Sequence, residues 1–200
     1  MTTLESLEKL NRYDIILASK SPRRQQLLEG TGIRFRTLNH SEIDEIYPEH
    51  LLREEIPMYL ARVKAQHYVS FIKDDTILIT ADTIVWLDKE VIGKPSGRQD
   101  AIAMLTKLSG NMHEVFTGVC IKTTTREVVF HASTRVYFRE LSTDEINYYV
   151  STYQPYDKAG SYGVQEWIGY VAVERIEGSF YNVMGLPIKQ LYCELIKING

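Results

Sequence analysis

The chain has 200 residues, of which 44% are hydrophobic, and a formal net charge of −3 at pH 7. That length and apolar content build one domain, or two lobes sharing a core, and exclude a disordered chain. The negative balance argues against a general nucleic-acid surface.

Residues 1–10 are amphipathic and acidic, unlike a signal peptide, and no apolar run is long enough to cross a bilayer, so a cytoplasmic protein with no membrane contact is expected. In chain order the pattern predicts a helix over 4–10, a strand over 14–18, a helix over 22–29 ended by Gly30 and Gly32, and a strand over 35–38. An acidic loop, 41–45, precedes a long helix over 57–71. A buried strand over 76–80 then delivers Ala81-Asp82-Thr83.

A strand over 84–87 follows, with a turn at Asp88-Lys89, and 91–92 pairs back. Gly93-Lys94-Pro95 leads to a helix over 98–108 capped by Ser109-Gly110, and β-branched alternation predicts a hairpin of strands over 114–123 and 127–138. Asp144 and Glu145 open a helix over 142–151, where the dipole favours them. A Gly-rich segment over 157–165, strands over 170–176 and 181–184, and a closing helix over 187–197 complete the chain. Alternating strands and helices predict an α/β fold. Composition marks no domain boundary, repeat or low-complexity linker. Cys120 and Cys193 lie far apart, without the spacing of a disulfide framework or zinc site, and read as buried small hydrophobes.

The most informative stretch is residues 15–28, where an apolar strand runs into a hydroxyl-rich turn, Ser19-Lys20-Ser21, and then a helix with Arg23 and Arg24 in its first turn. Unpaired N–H groups at a helix start accept an anion, and arginine adds bidentate donors, so these residues form a phosphate cradle. Pro22 suits the first helical position. The same residues also read as an ordinary strand-to-helix turn capped by Ser21, with two solvated arginines. A local basic cluster on an acidic chain points to a small polyanion rather than DNA.

Asp82 follows the apolar run Ile77-Leu78-Ile79 and is placed at the end of a buried strand, where open α/β sheets hold their ligands. A carboxylate there needs a facing cation or donor, unless it merely caps a turn. Glu42, Asp44 and Glu45 read either as a solvated acidic loop or, beside a phosphate cradle, as oxygen ligands for Mg²⁺. Lys64, on the long helix, is by default a helix-surface cation, and Lys94 a surface lysine that gains meaning only beside Asp82 and the arginines. Gln165, after two glycines, carries an amide able to read a base edge.

Six ordered segments carry a resemblance that spans about residues 15–195. They are 17–24, Ala81-Asp82-Thr83-Ile84-Val85, Gly93-Lys94-Pro95, Leu108-Ser109-Gly110, 157–165 and Val183-Met184-Gly185-Leu186-Pro187. Together the chain resembles the Maf family of nucleoside triphosphate pyrophosphatases. The resemblance implies a single Maf-like domain over 1–200, a two-lobed mixed twisted sheet flanked by helices, related to inosine triphosphatases, with the active site in a central cleft. It implies a divalent-metal-dependent (Mg²⁺ or Mn²⁺) hydrolase that cuts a nucleoside triphosphate between the α and β phosphates, and often a homodimer.

The aspartate of the family's Ala-Asp-Thr motif, its proton acceptor, falls on Asp82. The residues associated with the dTTP/UTP branch fall on Arg23, Thr83 and Gln165. The mechanism expected from these matches has Asp82 activate water or hold the metal, Glu45 share that metal with phosphate oxygens, and Ser19, Arg23, Arg24, Lys64 and Lys94 surround the phosphates. Three features depart from the family pattern: Thr80 replaces a usual glycine, Glu166-Trp167 follows Gln165 where a glycine is common, and an N-terminal extension precedes the first strand. Trp167 adds a large stacking surface beside the residue expected to read the base. The competing readings are a nucleotide-binding regulator of cell division without turnover, and a nucleotidyltransferase.

Overall fold

A computed structural model of the chain describes residues 3–38, 43 and 45–198. In chain order the elements are α1 (Thr3–Leu10), β1 (Asp14–Leu17), α2 (Pro22–Glu29), β2 (Arg36–Thr37), α3 (Glu55–His67), β3 (Thr76–Leu87), β4 (Glu90–Ile92), α4 (Arg98–Leu108), β5 (Met112–Lys122), β6 (Glu127–Phe138), α5 (Thr143–Tyr153), α6 (Trp167–Ala172), β7 (Val173–Glu177), α7 (Phe180–Val183) and α8 (Ile188–Ile198). The strands form one mixed sheet in the order β2-β1-β3-β5-β6-β7, with β4 paired to β3. This is the expected mixed α/β architecture. Among the described residues, no helix is long and apolar enough to cross a membrane.

Contacts divide the chain into two compact units. One comprises Met1–Asp82, Thr117–Ala132 and Gly185–Gly200, and the other Thr83–Phe116 and Ser133–Met184. In the first unit β1 runs parallel to β2 and to β3, with Ile16 opposite Leu78 and Leu17 opposite Ile79. Ile15, Ile16, Leu17, Ile77, Leu78 and Ile79 are almost fully buried, as strands covered on both faces require. Each such side chain contributes about 1.5–3 kcal/mol relative to its exposed form.

Helix α3 lies against this sheet through Ala61 and Ala65, both fully buried beside Ile16, Leu78 and Cys120. Gly118 on β5 makes the approach possible, since a Cβ there would lie 2.3 Å from the carbonyl carbon of Pro57. Pro57 itself stands in the first turn of α3, where its missing N–H has no helical partner to lose.

In the second unit β3 turns back on β4 through Asp88 and Lys89, both at positive φ, the conformation of a two-residue hairpin. β7 pairs antiparallel with β6. Helix α5 is closed by a full capping box between Ser142 and Glu145.

Several sequence-based expectations need correction. Strands expected over 76–80 and 84–87 are one strand, β3, so Asp82 lies within it and not at its end. The pairing with β1 stops at Ile79, whereas the pairing with β4 starts only at Val85, and Asp82 falls between the two. The long helix expected to Phe71 ends at His67 and gives way to a 3₁₀ turn over Val69–Phe71. The strand expected over 170–176 is divided between α6 and β7, because Ile168 and Ala172 bury one helical face. The strand expected over 181–184 is instead the turn of helix α7, capped by the Ser179 hydroxyl accepting from the Asn182 N–H. Of the two cysteines expected to be buried, Cys120 is and Cys193 is exposed, because Cys193 falls on the outer face of α8.

Candidate active site

The turn after β1 forms as its residue types dictate. Ser21 caps α2 by accepting from the Arg24 N–H at 3.5 Å, Pro22 occupies the first position, and Leu27 and Leu28 bury the inner face. Ser19, 8% exposed, accepts from the Ser21 N–H at 3.2 Å through its hydroxyl, while its carbonyl accepts from the Gln25 side chain at 3.2 Å. These bonds fix the turn's backbone. Arg23 is half-buried in the first turn of α2.

Arg24 has a more specific task than sequence reasoning assigned it. Its Nε donates to the Gly185 carbonyl at 2.7 Å and its Nη1 to the Ala81 carbonyl at 2.8 Å. The guanidinium therefore ties the helix start to the residue preceding Asp82 and to the start of the C-terminal segment. Burial lowers the Arg24 pKa from its ordinary value, and the charge of Asp82 opposes that shift.

Asp82 is buried at 5% exposure, and Lys64 supplies the cation that burial demands. Lys64 Nζ donates to Asp82 Oδ1 at 2.5 Å and to Glu45 Oε1 at 3.0 Å. Side-chain exposures of 7% for Asp82, 15% for Lys64 and 41% for Glu45 make one arm of this bridge dry and the other wet. Thr80 and Asp82 share a strand face, and Ala61 and Lys64 share a helix face. The Thr80 hydroxyl donates to the Ala61 carbonyl at 2.7 Å, so Thr80–Ala61 and Asp82–Lys64 form two successive rungs between β3 and α3. Thr80 thus fastens the helix that carries Lys64.

The first unit accordingly brings together Arg24, Lys64, Asp82 and Glu45, with Ser19 and Arg23 on the turn that Arg24 anchors. Glu42 and Asp44 lie outside the described residues. Thr83, Lys94 and Gln165 belong to the second unit. Thr83 is half-buried and, one residue after Asp82, points to the opposite face of β3. Lys94 is exposed on the loop after β4, next to Gly93, whose carbonyl accepts from the Gly160 N–H at 3.0 Å. Gln165 sits in a turn closed by the Glu166 N–H on the Gly163 carbonyl at 2.9 Å, and its Oε1 is buried without a partner among the described residues. Trp167, at the start of α6, meets the Tyr148 ring edge-on at 5.0 Å.

A divalent ion can be tested against this donor set. Asp82 and Glu45 present two hard carboxylate oxygens to one cation, and the Lys64 ammonium is that cation here. This fits Mg²⁺ or Mn²⁺, which take one or two protein carboxylates and complete their shell with phosphates and water. Among the described residues no group of three or more His, Cys, Asp or Glu forms an all-protein metal cage.

A family model described as Maf-like protein matches residues 14–198. The chain belongs to this family. The dTTP/UTP pyrophosphatase of Bacteroides thetaiotaomicron is 55% identical over 192 residues, covering 96% of this chain and all of that protein. The dTTP/UTP pyrophosphatase of Bacteroides fragilis strain YCH46 is 56% identical over 189 residues, covering 94% of this chain and 98% of the relative. Among solved structures, that of a HAM1 protein from Coxiella burnetii is similar at a TM-score of 0.46 and 15% identity, covering 92% of this chain and 99% of that one. The match to the Maf-like family runs from the first residue of β1 to the end of α8.

Sequence reasoning missed two contributions. The backbone carbonyls of Ala81 and Gly185 carry no side-chain signal, so their capture of Arg24 could not be read. The Thr80 bond had a signal, a hydroxyl inside an apolar strand, which needs a partner when buried.

Proposed function

We propose that this Maf-like chain is a nucleoside triphosphate pyrophosphatase that hydrolyses dTTP and UTP to the monophosphate and pyrophosphate. The observation that carries the chemistry is the buried Asp82 carboxylate held by Lys64, with Glu45 on the same ammonium. The substrate reading is supported by the two relatives at 55% and 56% identity and by the match of Arg23, Thr83 and Gln165 to the branch acting on these nucleotides.

In this reading water attacks phosphorus, the new P–O bond forms as the α–β bridging bond breaks, and pyrophosphate leaves with the electron pair. The proton from water passes to Asp82, whose Oδ1 is steadied by Lys64 while Oδ2 receives it. Ser19, Arg23 and Lys64 neutralise and orient the phosphates, and Arg24 both adds charge and holds Ala81 so that Asp82 keeps its place. Asp82 and Glu45 would hold Mg²⁺ or Mn²⁺, which supplies charge neutralisation for the leaving pyrophosphate. The substrate is a free nucleotide in the cytoplasm rather than nucleic acid, in keeping with the net charge of −3, and the assembly a homodimer.

The test is pyrophosphate release from a panel of nucleoside triphosphates with Mg²⁺ or Mn²⁺. Wild type releases it from dTTP and UTP ahead of the others, and Asp82→Asn lowers kcat by about 10²-fold or more while nucleotide affinity is kept. Tight nucleotide binding without release would favour the regulator reading instead.

A further inference from the structure

The loop from Asp157 to Trp167 holds three charged residues that the chemistry above does not use, and Lys158 joins the other two. Lys158 is 8% exposed, and its Nζ lies 2.6 Å from Asp157 Oδ1 and 3.1 Å from Glu166 Oε1. The other Glu166 oxygen accepts from the hydroxyl of Tyr149 on α5, a fully buried residue. That hydroxyl in turn accepts from the Gly163 N–H at 3.0 Å. Burial, then the bond to Glu166, raise the Tyr149 pKa, so the phenol stays a donor throughout the neutral range.

These bonds all bear on one four-residue turn. The Glu166 N–H closes it on the Gly163 carbonyl, and a Cβ on Gly163 would lie 2.7 Å from Glu166 Cδ. Only glycine lets the carboxylate fold down onto its own turn. Gln165 is inside this turn, and its buried Oε1 has no donor among the described residues. An acceptor left so costs about 1–3 kcal/mol, which a ligand N–H would recover. The N3–H of uracil or thymine is such a donor, whereas N3 of cytosine offers a lone pair.

We infer that Glu166, clamped by Tyr149 and Lys158, is a positioning residue that fixes the Gln165 amide as acceptor for a pyrimidine N–H, and so sets the choice of uracil and thymine over cytosine. The inference rests on the pyrophosphatase reading and deepens it at the base. Glu166 acts through Gln165 and touches no reacting atom.

The experiment compares UTP with CTP in wild type, Glu166→Ala, Glu166→Gln, Gln165→Ala and the double variant Gln165→Ala/Glu166→Ala. Glu166→Ala should lower the UTP preference about tenfold, with the loss in KM rather than kcat. Glu166→Gln, which still accepts from Tyr149, should recover part of it. The double variant should be no less selective than Gln165→Ala alone. Parallel loss for both nucleotides, unchanged selectivity, or a further loss in the double variant would overturn the clamp. Tyr149→Phe gives the same readout should Glu166→Ala not fold. Calorimetric binding of UTP and CTP in an Asp82→Asn background separates the two readings: without turnover in wild type but with a UTP preference that Glu166→Ala removes, the hydrolytic reading fails and the clamp stands.

Discussion

Replacing Lys64 with methionine keeps the length of the side chain and removes the ammonium that lies 2.5 Å from Asp82 Oδ1. With Asp82 at 7% and Lys64 at 15% side-chain exposure, this is a largely dry pair, and breaking such a pair strands one buried charge at a cost of about 3–5 kcal/mol. Because Lys64 is not wholly dry, the lower end applies, about 3 kcal/mol. The arm to Glu45, 41% exposed, adds no more than about 1 kcal/mol. At about 2–4 °C per kcal/mol for a chain of this size, the melting temperature should fall by roughly 6–12 °C. Denaturation of Lys64→Met, Asp82→Asn and the double variant completes a cycle, and the pair should show a coupling of about 2 kcal/mol or more. Mg²⁺ should then raise the melting temperature of Lys64→Met more than that of wild type, since the ion no longer competes with an ammonium for the two carboxylates. Additivity within about 0.5 kcal/mol would refute the claim that Lys64 compensates Asp82.

Thr80→Val should cost about 1 kcal/mol by depriving the Ala61 carbonyl of its donor, and it should lower kcat by loosening the turn of α3 that bears Lys64; Thr80→Ser should restore both, measured by urea denaturation and pyrophosphate release. His113 is buried against Phe138 and Tyr162, and burial pulls its imidazole down to about 3. The unfolded chain therefore takes that proton first as pH falls, so the contribution of His113 is complete above about pH 6.5 and is lost toward pH 3 at about 1.4 kcal/mol per unit. Guanidinium denaturation at pH 7 and pH 5 should show a smaller pH dependence in His113→Gln than in wild type, and equal slopes would contradict this origin.

Local signals read well where one residue type dictates a local bond. Ser21 and Pro22 fix the start of α2, and the helix expected over 22–29 is the one observed. Asp144 and Glu145 likewise marked the start of α5. What failed was propensity against tertiary context. Tyr170, Val171 and Val173 are strand formers, yet Ile168 and Ala172 needed burial on one helical face, and the chain obeyed the packing. A single helical turn such as Phe180–Val183 is too short to show a period.

The candidate site divides along the same lines. The arginine-bearing turn, Asp82 and Lys64 were legible as residue types, but the fact that one ammonium holds both Asp82 and Glu45 was not, because it joins three segments distant in sequence. Asp82 within a strand was misread for a physical reason: a charge inside an apolar run ordinarily ends it, and here Lys64 lets β3 continue. The Lys158–Glu166–Tyr149 clamp was illegible because Tyr149 reads as one more aromatic on the buried face of α5.

The central claim is cleavage of the α–β phosphoanhydride at the Asp82 site, and ³¹P NMR of dTTP incubated with the protein and Mg²⁺ tests it most directly. Resonances of dTMP and pyrophosphate should grow together in wild type and be nearly lost in Asp82→Asn. Growth of dTDP and orthophosphate, or equal turnover in Asp82→Asn, would contradict it.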